Sequence, residues 1–235
     1  MYFQYDQEVI DALSAKDPIL GAAIAKIGPV KRKVTPDLFE SLIKSIVGQQ
    51  ISTKAQETIW ARMLDTLGTI APEKLLSLKD DEIQSFGLSY RKVTYIKGAA
   101  EAIVTGKLNL SELDHLPDEA VIQKLSELKG IGKWTAEMLL TFSMQRPDIL
   151  SWDDLAIHRG LRMLYHHRRV TKKLFNKYKR RYSPYASVAS LYLWAIAGGA
   201  IPEMKDYAPL TEAEKARRKK TRRAAQKQNK SRDKL

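Results

Sequence analysis

The sequence predicts an all-α protein. Apolar residues recur at intervals of three and four residues through most of the chain, which is the spacing of one face of a helix. No sustained segment alternates polar and apolar residues as a half-buried strand does. With 235 residues, 44% of them apolar, the chain is long enough to bury one sizeable core or two small ones.

Capping residues indicate where the helices begin and end. Serine and threonine favour the N-cap, proline favours the first helical position and glycine favours the C-terminal end. Helix starts are expected near Glu8, at Thr35-Pro36, at Ser52 or Thr53, and at Pro72, Ser89, Pro117 and Ser183-Pro184. Two further helices are expected to follow Gly132 and Asp154. The ends that glycine marks are expected at Gly48, Gly68, Gly106 and Gly198-Gly199.

The loop from Met144 to Asp153 interrupts the helical pattern and divides the chain. We therefore expect two helical lobes with a cleft beside this loop. One lobe comprises roughly residues 35–145, and the other comprises the N-terminal helices together with roughly residues 146–210. Residues 211–235 form a basic C-terminal tail with little apolar surface to bury.

Positive charge is concentrated in two places. The chain has 40 Lys and Arg against 27 Asp and Glu, and the tail alone holds 11 of the basic residues with only 3 acidic ones. Residues 155–202 contain no acidic residue but ten Lys and Arg, all between Arg159 and Arg181. A surface of one sign attracts polyanions. The alternative is a solvated surface that binds no specific partner.

The composition excludes several classes of chemistry. With no cysteine, the chain forms no disulfide, thiolate nucleophile, cysteine-ligated zinc site or cysteine-held iron–sulfur cluster. The four histidines show no metal-binding spacing. No apolar run approaches the roughly 20 residues that span a bilayer, and the N-terminus lacks the pattern of a signal peptide. We expect a soluble, intracellular protein without a membrane partner.

The most informative segment is LKGIGKWTA at residues 128–136, which lies between two predicted helices. Gly130 and Gly132 permit a tight turn, so that backbone N–H groups and the N-terminus of the next helix face an anion. A phosphate of nucleic acid suits such a site. The alternative is an ordinary helical hairpin with a glycine turn.

Four more segments accompany this hairpin in a recognisable order. They are FESLI at 39–43 leading to GQQIS at 48–52, GLSYRK at 87–92, SWDDL at 151–155 and YSPY at 182–185. Together with the hairpin they resemble the helix-hairpin-helix DNA glycosylase superfamily, and most closely the 3-methyladenine DNA glycosylase II family in a compact form without the N-terminal β-domain. Two residues depart from that family's pattern: Lys129 replaces the usual proline, and Ala186 stands where arginine is common.

The resemblance implies a monofunctional glycosylase that excises an alkylated purine of the 3-methyladenine or 7-methylguanine type from duplex DNA. Its fold would place the hairpin and a catalytic aspartate at the junction of the two lobes. Asp154 matches the catalytic position and precedes the apolar stripe of Ile157, Leu161 and Leu164, where a helix N-terminus favours its charged form. The alternatives are that Asp154 is only an N-cap and that Asp153 is the catalyst.

Flipping a base requires a side chain that fills the gap in the duplex and aromatic rings that hold the extruded base. Gln50 is predicted to fill the gap, with Ile51 as the alternative. The predicted base pocket comprises Trp134, Trp152 and Tyr185. Further DNA contacts are expected from Gly130, Gly132, Lys133, Thr135, Ser89 and Arg91.

Two other functions stay open on sequence grounds. One is a bifunctional glycosylase and lyase acting on an oxidised base, and the other is a module that binds distorted DNA without catalysis. Superfamily lyases use a hairpin lysine whose aligned position here is Trp134, whereas Lys133 lies one residue earlier, roughly 100° around the helix.

The resemblance requires no cofactor. It implies a possible structural Na⁺ or K⁺ on the main-chain carbonyls of Ser126, Leu128 and Ile131. The expected partner is double-stranded DNA that contains damaged bases, and the expected state is a monomer. The expected location is cytoplasmic, associated with the nucleoid in a bacterium, or nuclear in a eukaryote.

Overall fold

The computed structural model describes residues 1–209, and this part of the chain is helical, as predicted. Its only β-structure is an isolated antiparallel bridge between Tyr2 and Lys33. The helices are α1 (Gln7–Lys16), α2 (Pro18–Ile27), α3 (Leu38–Gly48), α4 (Thr53–Leu67), α5 (Pro72–Ser77), α6 (Asp80–Ser85), α7 (Tyr90–Val104), α8 (Leu110–Leu113), α9 (Asp118–Ser126), α10 (Lys133–Phe142), α11 (Leu155–Tyr165), α12 (Lys172–Tyr182) and α13 (Ala186–Ala197). The basic tail predicted at 211–235 lies outside the described residues.

The apolar side chains form two separate cores. The first core is built from α3 to α10. The second is built from the N-terminal segment, α1, α2 and α11 to α13. Ile149 packs in the first core and Leu150 packs in the second, so the chain crosses from one core to the other between these two neighbours.

Several predicted boundaries agree with the structure, because each depends on a short-range cap. The Ser52 side chain accepts a hydrogen bond from Ala55 N–H, and the Ser89 side chain accepts one from Lys92 N–H. Gly68 ends α4 with a positive φ of 69°. These contacts lie within four residues along the chain and are therefore visible in the sequence.

Two predicted helix starts are wrong. The third helix begins at Leu38 rather than at Thr35-Pro36, because Asp37 caps it while the backbone of Thr35 bonds to Phe142 and Ser143. The last helix begins at Ala186 rather than at Ser183-Pro184. The carboxylate of Asp148 accepts hydrogen bonds from the Ser183 hydroxyl and from Ala186 N–H, so a residue 38 positions away sets this boundary.

No helix among residues 1–209 has both the length and the apolar composition required to cross a membrane.

Candidate active site

A cleft lies between the two cores and draws its walls from both. Its lining comes from α3 and the turn after it, from the first turns of α4, from α10, from the segment before α3, from the N-cap of α11 and from α13. Side chains that line it include Arg32, Lys33, Gln49, Gln50, Trp134, Thr135, Met138, Phe142, Asp154 and Trp194.

Asp154 places a fixed carboxylate in this cleft. It is the N-cap of α11, and one carboxylate oxygen accepts hydrogen bonds from Ala156 N–H at 2.8 Å and Ile157 N–H at 2.9 Å. The residue is only 6% exposed. Within residues 1–209 no lysine or arginine forms an ion pair with it, so its negative charge is available to a positive charge that develops in the cleft.

Trp134 holds the second oxygen of that carboxylate. It lies in the first turn of α10, and its indole Nε1–H donates a hydrogen bond to Asp154 Oδ2 at 3.0 Å. The side chain is nevertheless 45% exposed, which leaves ring surface open to the cleft. The same side chain therefore orients the carboxylate and offers an aromatic face, whereas the sequence indicated only the aromatic face.

The glycine hairpin before α10 has one position that requires glycine. Gly130 has φ of 88°, and a Cβ there would collide with the ring of Tyr95. Gly132 has φ of −92°, and a Cβ there would meet nothing within 4 Å. The steric argument for glycine therefore applies to Gly130 and not to Gly132.

The N-terminus of α10 is arranged to face an anion. Gly132 is its N-cap, and no side chain accepts a hydrogen bond there. The first N–H groups of a helix have no intrahelical partner and attract phosphate. Lys133 is exposed beside them, with its Nζ 4.0 Å from Glu137 Oε1. Lys133 does not line the cleft that contains Asp154.

The turn after α3 is fixed to this hairpin. Gln49 Nε2–H donates a hydrogen bond to the Gly130 carbonyl at 2.7 Å. Lys92 Nζ donates to the carbonyls of Val47 at 2.7 Å and Gln49 at 2.8 Å, which satisfies the end of α3. Gln50, with φ of 57°, is thus presented on a turn that is bonded on both sides.

Gln50 and its neighbour Ile51 are both exposed. Gln50 lines the cleft, whereas Ile51 does not. An apolar residue at a helix start can pack in a core, but Ile51 is 37% exposed and does not. Both side chains are free to enter a duplex.

Two of the three aromatic residues predicted for the base pocket lie elsewhere. Trp152 packs edge-on against Phe175 of α12, with ring centroids 5.1 Å apart, and Lys172 Nζ lies 4.3 Å from its centroid. Tyr185 packs against the second core. Neither lines the cleft. Trp152 is close to Asp154 in sequence, but the carboxylate turns towards α10 and the indole turns towards α12.

The remaining predicted contacts occupy different surroundings. Thr135 is buried in the cleft wall. Ser89 is the N-cap of α7, and Arg91 is exposed in the first turn of that helix. Asp153, the alternative catalyst, is exposed and does not line the cleft.

Sequence reasoning missed a second aromatic part of the cleft wall. Trp194 of α13 and Phe142 of α10 have ring centroids 5.3 Å apart, and the Arg32 guanidinium carbon lies 5.1 Å from the Phe142 centroid. Trp194 also packs against the second core. No periodic signal marks it, because α13 is apolar on all sides, with ten of its residues buried.

The chain is similar to known proteins in both sequence and fold. The chain is 34% identical over 161 residues to DNA-3-methyladenine glycosylase 1 of Schizosaccharomyces pombe, a match that covers 66% of this chain and 71% of that protein. It is similar to the crystal structure of a DNA-3-methyladenine glycosidase from Bacillus halodurans, with a TM-score of 0.78, 37% identity and coverage of 86% of this chain and 95% of that one.

A second solved structure contains DNA. The S. pombe 3-methyladenine DNA glycosylase Mag1 in complex with abasic DNA matches with a TM-score of 0.72 and 30% identity, over 81% of this chain and 97% of that one. The model of the HhH-GPD superfamily base excision DNA repair proteins matches residues 43–184, which include the Gln50 turn, the hairpin and Asp154. The chain therefore belongs to the HhH-GPD superfamily of base excision DNA repair proteins.

Proposed function

We propose that this protein is a monofunctional DNA-3-methyladenine glycosylase. It flips an alkylated purine, 3-methyladenine or 7-methylguanine, out of duplex DNA and hydrolyses the N-glycosidic bond, which leaves an abasic site. The observation that carries the proposal is the Asp154 carboxylate, held by Trp134 and by two backbone N–H groups at the wall of a cleft. The names of the similar proteins support the same activity.

Base flipping gives the exposed residues of the site their roles in DNA binding. A base inside the stack is out of reach, so the nucleotide must leave the duplex and its place must be filled. Gln50 fills the gap, with Ile51 beside it on the same turn. The free N–H groups at the start of α10 and the side chain of Lys133 bind phosphate.

The chemical step depends on charge. A methylated purine carries a positive charge, which favours stacking on the electron-rich face of Trp134. The C1′–N bond breaks with both electrons passing to the base, and positive charge develops on the sugar. The Asp154 carboxylate stabilises this charge. A water oxygen then bonds to C1′, and the water releases a proton.

Two observations favour this function over the alternatives. A lyase needs an amine at the sugar, but the hairpin position used for that purpose is Trp134. Lys133 instead lies beside Glu137, outside the cleft. A module that only binds distorted DNA needs no carboxylate at the wall of a cleft.

The hairpin carbonyls of Ser126, Leu128 and Ile131 would hold Na⁺ or K⁺, which prefer neutral oxygen ligands. The Leu128 carbonyl accepts one hydrogen bond, from Ile131 N–H at 3.0 Å, and a carbonyl oxygen has a second lone pair. Such a cation would stiffen the turn and takes no part in the reaction. In this proposal the protein acts as a monomer, in the nucleoid of a bacterium or the nucleus of a eukaryote.

A base-release assay tests the proposal. Duplex DNA treated with a methylating agent should release 3-methyladenine and 7-methylguanine, resolved by chromatography, and should keep intact abasic sites. Asp154→Asn should reduce base release to a small residual rate and retain DNA binding, since asparagine is an equally good N-cap. Asp153→Asn is the matched control and should remain active.

Three outcomes contradict the proposal. The first is the absence of base release by the native protein. The second is normal turnover by Asp154→Asn. The third is strand cleavage without heat or alkali, because a lyase cuts the strand and a monofunctional enzyme does not.

A further inference from the structure

Glu137 is a buried carboxyl group that the proposed mechanism does not use. It lies three residues after Trp134 on α10, and its side chain is 8% exposed. Glu137 Oε2 accepts a hydrogen bond from the hydroxyl of Ser151, which is itself buried. A buried polar group is costly unless it is bonded, so the Ser151 hydrogen bond offsets the cost of burying this carboxyl.

Its partner Ser151 lies in the segment that crosses between the two cores and ends at Asp154. Hydroxyl groups from α13 hold the start of this crossing: Ser187 accepts from Ile149 N–H at 2.9 Å, and Ser190 donates to the Ile149 carbonyl at 2.9 Å. Glu137 holds the same segment from α10. The approach to Asp154 is thus fixed from both sides.

Two tethers connect α10 to this segment. Trp134 binds the carboxylate of Asp154 directly, and Glu137 binds Ser151, three residues earlier. Residues three apart on a helix lie on the same side, so both tethers leave one face of α10. Removing the second tether would leave the first to hold the carboxylate alone.

We propose that Glu137 is a positioning residue, which sets the place of the Asp154 carboxylate in the cleft through its hydrogen bond to Ser151. The proposal deepens the proposed function, because it takes Asp154 as the catalytic carboxylate.

The charge of Glu137 and its acceptor oxygen are two separate properties. Burial raises the pKa of its carboxyl above the ordinary value, and the Ser151 hydrogen bond and the Lys133 charge offset only part of that rise. Asp153 also raises this pKa and Lys179 lowers it. The bond from Ser151 needs only an acceptor oxygen, which both protonation states of the carboxyl provide. Glutamine, with its amide oxygen, should therefore replace Glu137.

Three variants test the role in single-turnover excision at saturating enzyme. Glu137→Ala and Ser151→Ala should each slow excision about 10-fold or more. Each variant removes the Glu137–Ser151 hydrogen bond and leaves its other partner buried and unpaired, and such a loss corresponds to about 10-fold or more in rate. Their affinity for abasic DNA should stay unchanged. Glu137→Gln should keep the rate within about 3-fold of the native value. Ser151→Ala removes a single oxygen, so it keeps the test valid if Glu137→Ala does not fold.

A double variant separates positioning from general stability. If Glu137 acts through Asp154, adding Glu137→Ala to Asp154→Asn should not slow the residual excision further. A further loss equal to that seen in the native background overturns the proposal, and so does Glu137→Gln if it is as slow as Glu137→Ala.

A second readout does not depend on activity. The indole N–H of Trp134 donates to Asp154, so its NMR signal, assigned with Trp134→Phe, reports the position of the carboxylate. Glu137→Ala and Ser151→Ala should shift this signal, and Glu137→Gln should not. An unchanged signal in folded Glu137→Ala overturns the positioning role even if the proposed function fails for other reasons.

Discussion

At the scale of single residues, Trp134 combines two properties that ordinary substitutions separate. Its indole ring faces the cleft, and its N–H donates to Asp154. Phenylalanine keeps an aromatic face and removes the donor. The two contributions can therefore be measured one at a time.

Trp134→Phe should slow base excision about 10-fold or more while changing the affinity for abasic DNA little. The lost hydrogen bond to a carboxylate is worth about 1.5 to 3 kcal/mol, and about 1.4 kcal/mol corresponds to a tenfold change in rate. Single-turnover kinetics measure the effect. Trp60→Phe, in the first core at a residue that does not line the cleft, is the control. A native rate for Trp134→Phe would show that the hydrogen bond contributes nothing to the chemical step.

At the scale of elements, the hairpin and the turn after α3 form one bonded unit. Gln49 joins the turn to the Gly130 carbonyl, and Lys92 joins it to α7. The unit presents Gln50 and the N-terminus of α10 together. Its rigidity can be tested at either end.

Gly130→Ala should destabilise the protein by about 1 to 3 kcal/mol, because the added Cβ meets Tyr95 and the residue holds a positive φ. Gly132→Ala should leave stability nearly unchanged, because its φ is ordinary and its surroundings are open. Thermal unfolding measures the difference, at about 2 to 4 °C per kcal/mol for a chain of this size. Equal losses in both variants would contradict the assignment.

Lys92→Met should loosen the turn that carries Gln50. It keeps the length of the side chain but removes both hydrogen bonds to the carbonyls at the end of α3. Excision of a methylated base should slow and DNA affinity should fall, and stability should fall by about 1 to 3 kcal/mol. Lys107→Met removes the same charge at an exposed position and is the control. Native excision by folded Lys92→Met would show that the turn does not need this support.

At the scale of the whole molecule, Asp17 joins the N-terminal helices to the rest of the second lobe. It caps α2 and accepts hydrogen bonds from the Tyr165 hydroxyl at 2.6 Å and from Arg181 at 2.7 Å. Burial alone would raise the pKa of this carboxyl, but the hydrogen bonds from Tyr165, Arg181 and Leu20 N–H together lower it below its ordinary value. Its ionised form therefore stabilises the fold.

Asp17→Asn should lower the free energy of unfolding at pH 7 by up to about 3 kcal/mol. This is the low end of the range for breaking a buried ion pair, because the Arg181 side chain is 31% exposed. Because the pKa of Asp17 is lower in the folded state, its contribution is complete above the unfolded value of about 4. The contribution is lost as the pH falls through the folded pKa. Urea unfolding at several pH values should show the native protein and the variant converging in acid. Asp65→Asn, at an exposed site, is the control. A constant difference down to about pH 2, well below the unfolded pKa, would contradict this account.

The basic surface of α12 and the loop before it extends over the second lobe. Six of its residues are exposed and form no ion pair within residues 1–209: Arg168, Arg169, Lys172, Lys173, Lys177 and Arg180. Lys172 packs on Trp152, which lies two residues before Asp154, so this surface approaches the segment that carries Asp154. Duplex DNA bound in the cleft would pass close to it.

Replacing Lys172, Lys173 and Lys177 with glutamine should weaken DNA binding equally for all sequences. The slope of log K against log salt should become shallower by about 0.9 for each phosphate that the variant no longer neutralises. Excision at saturating enzyme should remain. The same charge removed from Lys79, Lys107 and Lys205, which are exposed, is the control. A native salt dependence in the α12 variant would show that these three lysines do not neutralise DNA phosphates.

Local chemistry determined much of this protein from the sequence alone. Caps and turns act within about four residues, so helix starts predicted at Ser52 or Thr53, at Ser89 and after Asp154 are confirmed, with Ser52 as the cap of the first. The same short range made the glycine hairpin and the family visible in a single chain.

Tertiary structure decided which side chains meet. The cleft brings together residues far apart in the chain, such as Arg32, Phe142 and Trp194. No local sequence pattern predicts that these residues lie close together. Trp152 and Trp194 have the same chemistry, but packing turns the first towards α12 and the second towards the cleft. Side-chain direction follows from how the two cores pack together, and that packing depends on the whole chain.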